Sequence, residues 1–270
     1  MDAIRILAHT TFSLLSLLTF VSLTLAQPPP RSEVLRLPDD VAEKTEFLNP
    51  DYLLLTPDLK ASKDLLPIVI YLHGAGGVGD DVRRIAGQPG AVLRSIERLG
   101  HSPCLLVAPQ CLRHSPAGDR GVWTPADLDI FLHQLKETLP IDASRIYLTG
   151  NSMGGYGTWV WAATRPEYFA AIAPIVGGIG RGGPKAVTPE FDRWIESLLK
   201  VPIWAFAGAE DRVVPAERSQ RVIDAVRAEG HKNARLTIYS DMGHNAGRRA
   251  YDDPALYRWL FSQKRHSGRR

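Results

Sequence analysis

The chain has 270 residues, of which 44% are apolar and 23% charged, with two cysteines. It can bury a substantial core as one large domain or two small ones, and it is not disordered, collagenous or held together by a disulfide framework. The formal charge is +3, and Lys264, Arg265, Arg269 and Arg270 all stand in the last seven positions, so the body is close to neutral and has no basic face of the kind that tracks nucleic acid.

The first 26 residues read as a secretory leader. Arg5 lies near the amino terminus, the run from Thr10 to Leu25 is free of charge, and the small residues Thr24 and Ala26 precede Gln27. A basic start, an apolar stretch and a small-residue site predict cleavage after Ala26, export to the periplasm or the medium, and no membrane contact afterwards. The alternative is an uncleaved anchor, since Ile6–Leu25 is just long enough to span a bilayer. Gln27 to Ser32 reads QPPPRS, and residues 27–40 are expected to form an exposed linker. A catalytic domain over 41–263 and a basic tail over 264–270 follow.

Along the domain, short β-rich runs alternate with helical-period segments. Strands are predicted at Tyr52–Leu55, Ile68–Leu72, Cys104–Ala108, Ile146–Thr149, Ala171–Ile175, Ile203–Ala207 and Leu236–Tyr239. Helices are predicted at Asp81–Leu99, Pro125–Leu139, Met153–Arg165, Pro189–Leu199, Ala216–Glu229 and Asp253–Gln263. Gln88-Pro89-Gly90 should break the first helix in two. Several strands are apolar throughout, as strands covered on both faces must be, so the pattern predicts an α/β fold with a mostly parallel sheet and helices on both faces.

Cys104 and Cys111 bracket one strand. Seven residues of strand separate its ends by up to ~23 Å, against the ~7 Å limit for a disulfide, so two free cysteines are expected. The same separation argues against a zinc site from His101, Cys104, Cys111 and His114, and no metal or cofactor is expected.

The chemistry lies in Ile146 to Gly157, IYLTGNSMGGYG, which holds G-x-S-x-G as Gly150, Asn151, Ser152, Met153 and Gly154 between a strand and a helix. A serine on such a turn has strained backbone angles and projects its hydroxyl outward. It needs a base, and His244 follows the strand Leu236–Tyr239. The base needs a carboxylate to fix its tautomer. Asp211 follows the strand Ile203–Ala207, with Glu210 as its competitor, while Asp241 is too close to His244 in sequence. The order Ser152, Asp211, His244 is that of α/β-hydrolases and differs from both serine-protease orders. Donors for an oxyanion are expected from the N–H of Met153 and of Ala75, with Gly74 as a further candidate, in the turn after Ile68–Leu72.

A rival reading comes from Gly74, Gly76 and Gly79, which satisfy G-x-G-x-x-G with Glu97 about 20 residues on. That would make a dinucleotide-binding oxidoreductase, but it leaves Ser152, Asp211 and His244 without a role. A catalytically dead hydrolase fold used for binding is a third reading, although no triad member is missing.

The blocks YLHGAGG (71–77), VAPQC (107–111), RIYLTGNSMGGYGTW (145–159), GAEDRVVP (208–215) and GHNAGRRAYDDPALYRWL (243–260) resemble secreted α/β-hydrolases of the polyhydroxybutyrate depolymerase, feruloyl esterase and "predicted peptidase" (dienelactone hydrolase-like) neighbourhood. The resemblance implies an α/β-hydrolase fold, with Ser152 as nucleophile, Asp211 as acid and His244 as base. It also implies a pocket that includes Trp123, whose alternative is a core aromatic, with His73 and Gln110 beside it. The loop Gly177 to Pro189 is expected to border that pocket. The chain departs from the resemblance at Gly247, Arg248 and Arg249, where an aromatic often follows the histidine, and at Ala207, where a histidine often stands. The implied activity is cleavage of a carboxylic ester, carried by a small molecule or a polymer, through an acyl-enzyme. Feruloyl or polyester depolymerase and serine peptidase chemistry are the alternatives on the same triad.

Overall fold

The structure is a computed structural model that describes residues 31–56, 64–98, 104–113, 122–179 and 190–265. The expected leader at 1–26, Gln27 to Pro30, His101, His114, residues 180–189 of the expected pocket-side loop and 266–270 of the expected basic tail lie outside the described residues.

Apolar runs too short for helices become the strands of one sheet: β1 (Arg31–Arg36), β2 (Asp51–Thr56), β3 (Leu66–Leu72), β4 (Leu105–Ala108), β5 (Ile141–Asn151), β6 (Ala171–Ile175), β7 (Ile203–Gly208) and β8 (Ala234–Tyr239). Their order is β1-β2-β4-β3-β5-β6-β7-β8. From β4 to β8 the neighbours run parallel, while β2 is antiparallel to both β1 and β4. The connecting helices are α1 (Asp39–Ala42), α2 (Gly87–Arg98), α3 (Pro125–Thr138), α4 (Met153–Thr164), α5 (Phe191–Leu198), α6 (Glu217–Ala228), α7 (Ala246–Asp252) and α8 (Pro254–Ser262). None of the helices among the described residues is long and apolar enough to cross a membrane.

Strand alternation divides the core. Ile68, Ile70 and Leu72 join Leu128, Trp159, Ile195 and Val222, so one face is covered by α3 to α6. Val69 and Tyr71 join Val92, Ala250, Leu256 and Tyr257, so the other is covered by α2, α7 and α8. A strand covered on both faces must be apolar at every position, and β3, β4 and β6 are buried along their whole length. This is the architecture of an α/β-hydrolase.

Four expectations are corrected. Residues 31–36, expected within the linker, are an edge strand with Val34 opposite Leu53. Their charges (Arg31, Glu33, Arg36) suit an unpaired edge but hide the strand pattern. The first helix breaks before Gly87, not at Gln88-Pro89-Gly90: a 3-10 turn spans Val82–Ile85 and α2 begins at Gly87. Pro89 sits in the first turn of α2, where its missing N–H has no acceptor to lose. β5 starts at Ile141 instead of Ile146, through a polar stretch in which Asp142 accepts from Ser144 Oγ and Arg145 Nε. Arg265, expected within the basic tail, donates from its N–H to Ser144 O at 2.9 Å. Cys104 and Cys111 are free and buried, and they pack on opposite faces of the sheet.

Candidate active site

Parallel strands deliver their following loops to one edge of the sheet, and β3, β5, β7 and β8 end there together. Ser152 lies between the last residue of β5 and the first of α4, with φ 58° and ψ −114°. Left-handed backbone at a non-glycine residue costs on the order of 1–3 kcal/mol. The surroundings hold it in place: Ser152 N–H donates to Ile175 O and Tyr156 N–H to Ser152 O, both at 3.0 Å. α4 passes so close to β3 that a Cβ on Gly154 would sit 1.9 Å from Leu72 O.

Ser152 Oγ lies 2.9 Å from His244 Nε2, and His244 Nδ1 lies 2.8 Å from Asp211 Oδ2. A carboxylate only accepts, so Nδ1 carries the proton and Nε2 is free to accept from the serine. Asp211 is buried, and its other oxygen accepts from the N–H groups of Val213 and Val214 at 2.8 and 2.9 Å. These bonds fix the carboxylate before the histidine meets it. Glu210 is exposed, and Asp241 pairs with Arg249 at 2.8 Å instead.

Met153 opens α4 and Ala75 opens a 3-10 turn at Ala75–Gly77. The first N–H groups of a helix have no acceptor within it. Gly74 lies against the elbow: a Cβ there would be 3.5 Å from Ser152 Cβ and 3.2 Å from Asn151 O. The turn and the serine therefore lie side by side.

The three residues expected to line the pocket are bonded to backbone groups behind the Gly74–Gly77 turn. His73, Trp123 and Gln110 are all buried. Trp123 Nε1 donates to His73 O at 3.1 Å, and Gln110 Nε2 donates to Gly77 O at 2.8 Å and Asp81 O at 3.1 Å. Backbone carbonyls in a dry interior need these donors, so the three side chains form the wall behind the Gly74–Gly77 turn. Burial lowers the His73 pKa to about 4, against the opposing hydrogen bond to Gly74 O.

The rival dinucleotide reading is contradicted. The glycines 74, 76 and 79 do not open a helix onto which a pyrophosphate could dock, because α2 begins only at Gly87. Glu97 lies near the far end of α2, which returns antiparallel to β3 and β4, and so points away from the strands' carboxyl ends.

Two features gave no signal in the sequence. Val176, next to the carbonyl that holds Ser152, has φ 43°, and a β-branched residue is among the least expected there. Asn151 accounts for the departure at Gly247, because a Cβ at that position would lie 2.1 Å from Asn151 Oδ1. Ala207 is buried within β7.

Residues 124–256 match the family model described as the dienelactone hydrolase family. A Salmonella typhimurium protein named carboxymethylenebutenolidase is 28% identical over 207 residues, 68% of this chain and 69% of its own. An Aspergillus terreus protein named feruloyl esterase C is 28% identical over 132 residues, 49% of this chain and 48% of its own. The crystal structure of a thermostable esterase matches with a TM-score of 0.68 at 29% identity, over 88% of this chain. This chain spans 64% of that esterase, just under two thirds of its length.

Proposed function

We propose that the chain is an exported serine hydrolase of carboxylic esters, a reading supported by the match of residues 124–256 to the dienelactone hydrolase family model and by the α/β-hydrolase fold. The observation that carries this reading is the unbroken hydrogen-bonded line from Ser152 Oγ through His244 to the buried Asp211 carboxylate. Export is supported by the leader pattern in residues 1–26.

His244 Nε2 takes the hydroxyl proton as Ser152 Oγ bonds to the ester carbonyl carbon. The N–H groups of Met153 and Ala75 stabilise the resulting oxyanion, each donor worth about 3 kcal/mol in the transition state. The tetrahedral intermediate collapses, the C–O bond to the alcohol breaks, and His244 returns its proton to the leaving oxygen. Water then gives a proton to His244 as its oxygen bonds to the acyl carbon, the bond from that carbon to Ser152 Oγ breaks, and His244 returns the proton to Oγ, which frees the acid and restores Ser152. Asp211 holds the Nδ1–H tautomer and stabilises the imidazolium throughout. The strained elbow keeps the serine at the angle this attack requires.

Labelling by a fluorophosphonate, followed by hydrolysis of an ester panel, tests the reading. Wild type is expected to label stoichiometrically and turn over esters, and Ser152→Ala to do neither while keeping its melting temperature. Ester turnover retained by Ser152→Ala would overturn the mechanism. Feruloyl esters belong in the panel beside short acyl esters because of the partial similarity to feruloyl esterase C.

A further inference from the structure

We infer that His73 is a positioning residue, whose imidazole aims the Ala75 N–H at the reacting carbonyl oxygen by gripping the opposite edge of the Gly74–Ala75 peptide. The inference rests on the esterase reading and names what prepares one of its oxyanion donors.

His73 Nδ1 lies 2.6 Å from Gly74 O, and Cys111 N–H donates to His73 Nε2 at 3.0 Å. A carbonyl oxygen cannot donate and a backbone N–H cannot accept, so the partners fix a neutral ring with its proton on Nδ1. Gly74 O also receives Gly77 N–H at 2.9 Å. In a trans peptide the C=O and the following N–H point in opposite directions, and no cis peptide is found among the described residues. Pulling Gly74 O toward the ring therefore turns Ala75 N–H away from it. Gly74 itself lies against the elbow, where a Cβ on it would be 3.2 Å from Asn151 O and 3.5 Å from Ser152 Cβ.

The ring cannot relax. It meets Trp123 edge-on, with centroids 4.8 Å apart at 64°. A Cβ on Gly77 would lie 2.5 Å from Nδ1, so the glycine closes over the ring without displacing it. Gln110 holds the end of the turn, and Asn49 Nδ2 holds Gln110 by donating to its Oε1 at 2.8 Å. Among the described residues, the ring's partners are Gly74 O, Cys111 N–H and Trp123, which belong to the turn and to the wall behind it. The imidazole therefore acts through the peptide and not on the substrate.

Amide side chains separate the two ring contacts. Asn places its NH₂ near the position of Nδ1 and keeps a donor for Gly74 O. Gln places its carbonyl near the position of Nε2 and keeps the acceptor for Cys111 N–H alone. Ala75→Pro removes the N–H itself. Proline is accepted at the first position of a helical turn, and Gly74 before it has the extended backbone (φ −76°, ψ 175°) that a following proline requires.

The experiment measures kcat and KM on the best ester for wild type, His73→Asn, His73→Gln, Ala75→Pro and the double variant His73→Gln/Ala75→Pro, with a melting temperature for each. Ala75→Pro is expected to lose about 10²–10³-fold in kcat. His73→Gln should lose about 10–100-fold with KM within about threefold, and His73→Asn should stay within about fivefold of wild type. In the Ala75→Pro background, His73→Gln should cost less than about threefold more, because the group it positions is already gone. Full additivity in the double variant, or losses that follow melting temperature with no split between Asn and Gln, would overturn the inference. If His73→Gln does not fold, His73→Asn decides alone: a loss as large as that of Ala75→Pro overturns it. A wild type that hydrolyses no ester overturns the esterase reading, and this inference with it.

Discussion

Asp211 and Glu210 are adjacent carboxylates that meet different fates. Asp211 is turned inward, where two backbone N–H groups and the His244 imidazole occupy its oxygens. Glu210 lies exposed at the surface. An asparagine at 211 can keep its carbonyl oxygen toward Val213 and Val214 but then presents an NH₂ to His244, which favours the wrong tautomer. Asp211→Asn is therefore expected to lower kcat by about 10³–10⁴-fold with little change in melting temperature. Glu210→Gln should stay within about twofold, since it touches neither partner of the relay. Steady-state kinetics and thermal melts of the two variants check this, and comparable losses at both positions would remove Asp211 from its role.

At the scale of elements, the site depends on α4 starting almost in contact with β3. No side chain fits between Gly154 and Leu72 O, so Gly154→Ala must push the helix off the sheet or tilt the elbow. A loss of at least ~3 kcal/mol in unfolding free energy by urea titration is expected, with activity falling alongside. A substitution within ~1 kcal/mol of wild type would mean that the helix start is softer than this geometry implies. Such close approaches are legible in a sequence only as glycines after a strand, and here the run GNSMGG was enough to place the serine. Asp211 and His244 were readable because each follows an apolar strand, and the parallel order carries all three to one edge. What the sequence hid has two sources. Charged edge segments such as Arg31–Arg36 lack the apolar run that marks a buried strand. His73, Trp123 and Gln110 looked like substrate contacts because polar and aromatic groups near a serine turn suggest a pocket. In the folded chain they are buried and bonded to backbone carbonyls, a role that residue type alone does not announce.

For the molecule as a whole, the buried wall behind the Gly74–Gly77 turn bears on acid stability. Burial is what holds His73 at about 4, below its ordinary 6.5. In the unfolded chain the group takes up a proton near 6.5, so between those values the unfolded state binds more protons than the folded one. Stability is then full above about pH 6.5 and falls as pH drops toward about 4, by roughly 3 kcal/mol from this group, and His73 contributes no further loss below that. Asp142 extends the decline: burial alone would raise it, but hydrogen bonds from Ser144 and Arg145 outweigh that and hold it at about 2. Its contribution, present above 3.8, is lost as pH falls through that lower value. Urea unfolding of wild type and His73→Asn at a series of pH values between about 7 and about 4 separates the two groups. The asparagine variant should be less stable at neutral pH and show a flatter decline down to about pH 4, because it has no proton to take up. Parallel profiles for the two proteins would mean that the imidazole is not kept neutral by its burial, and would assign the acid sensitivity to carboxylates such as Asp142.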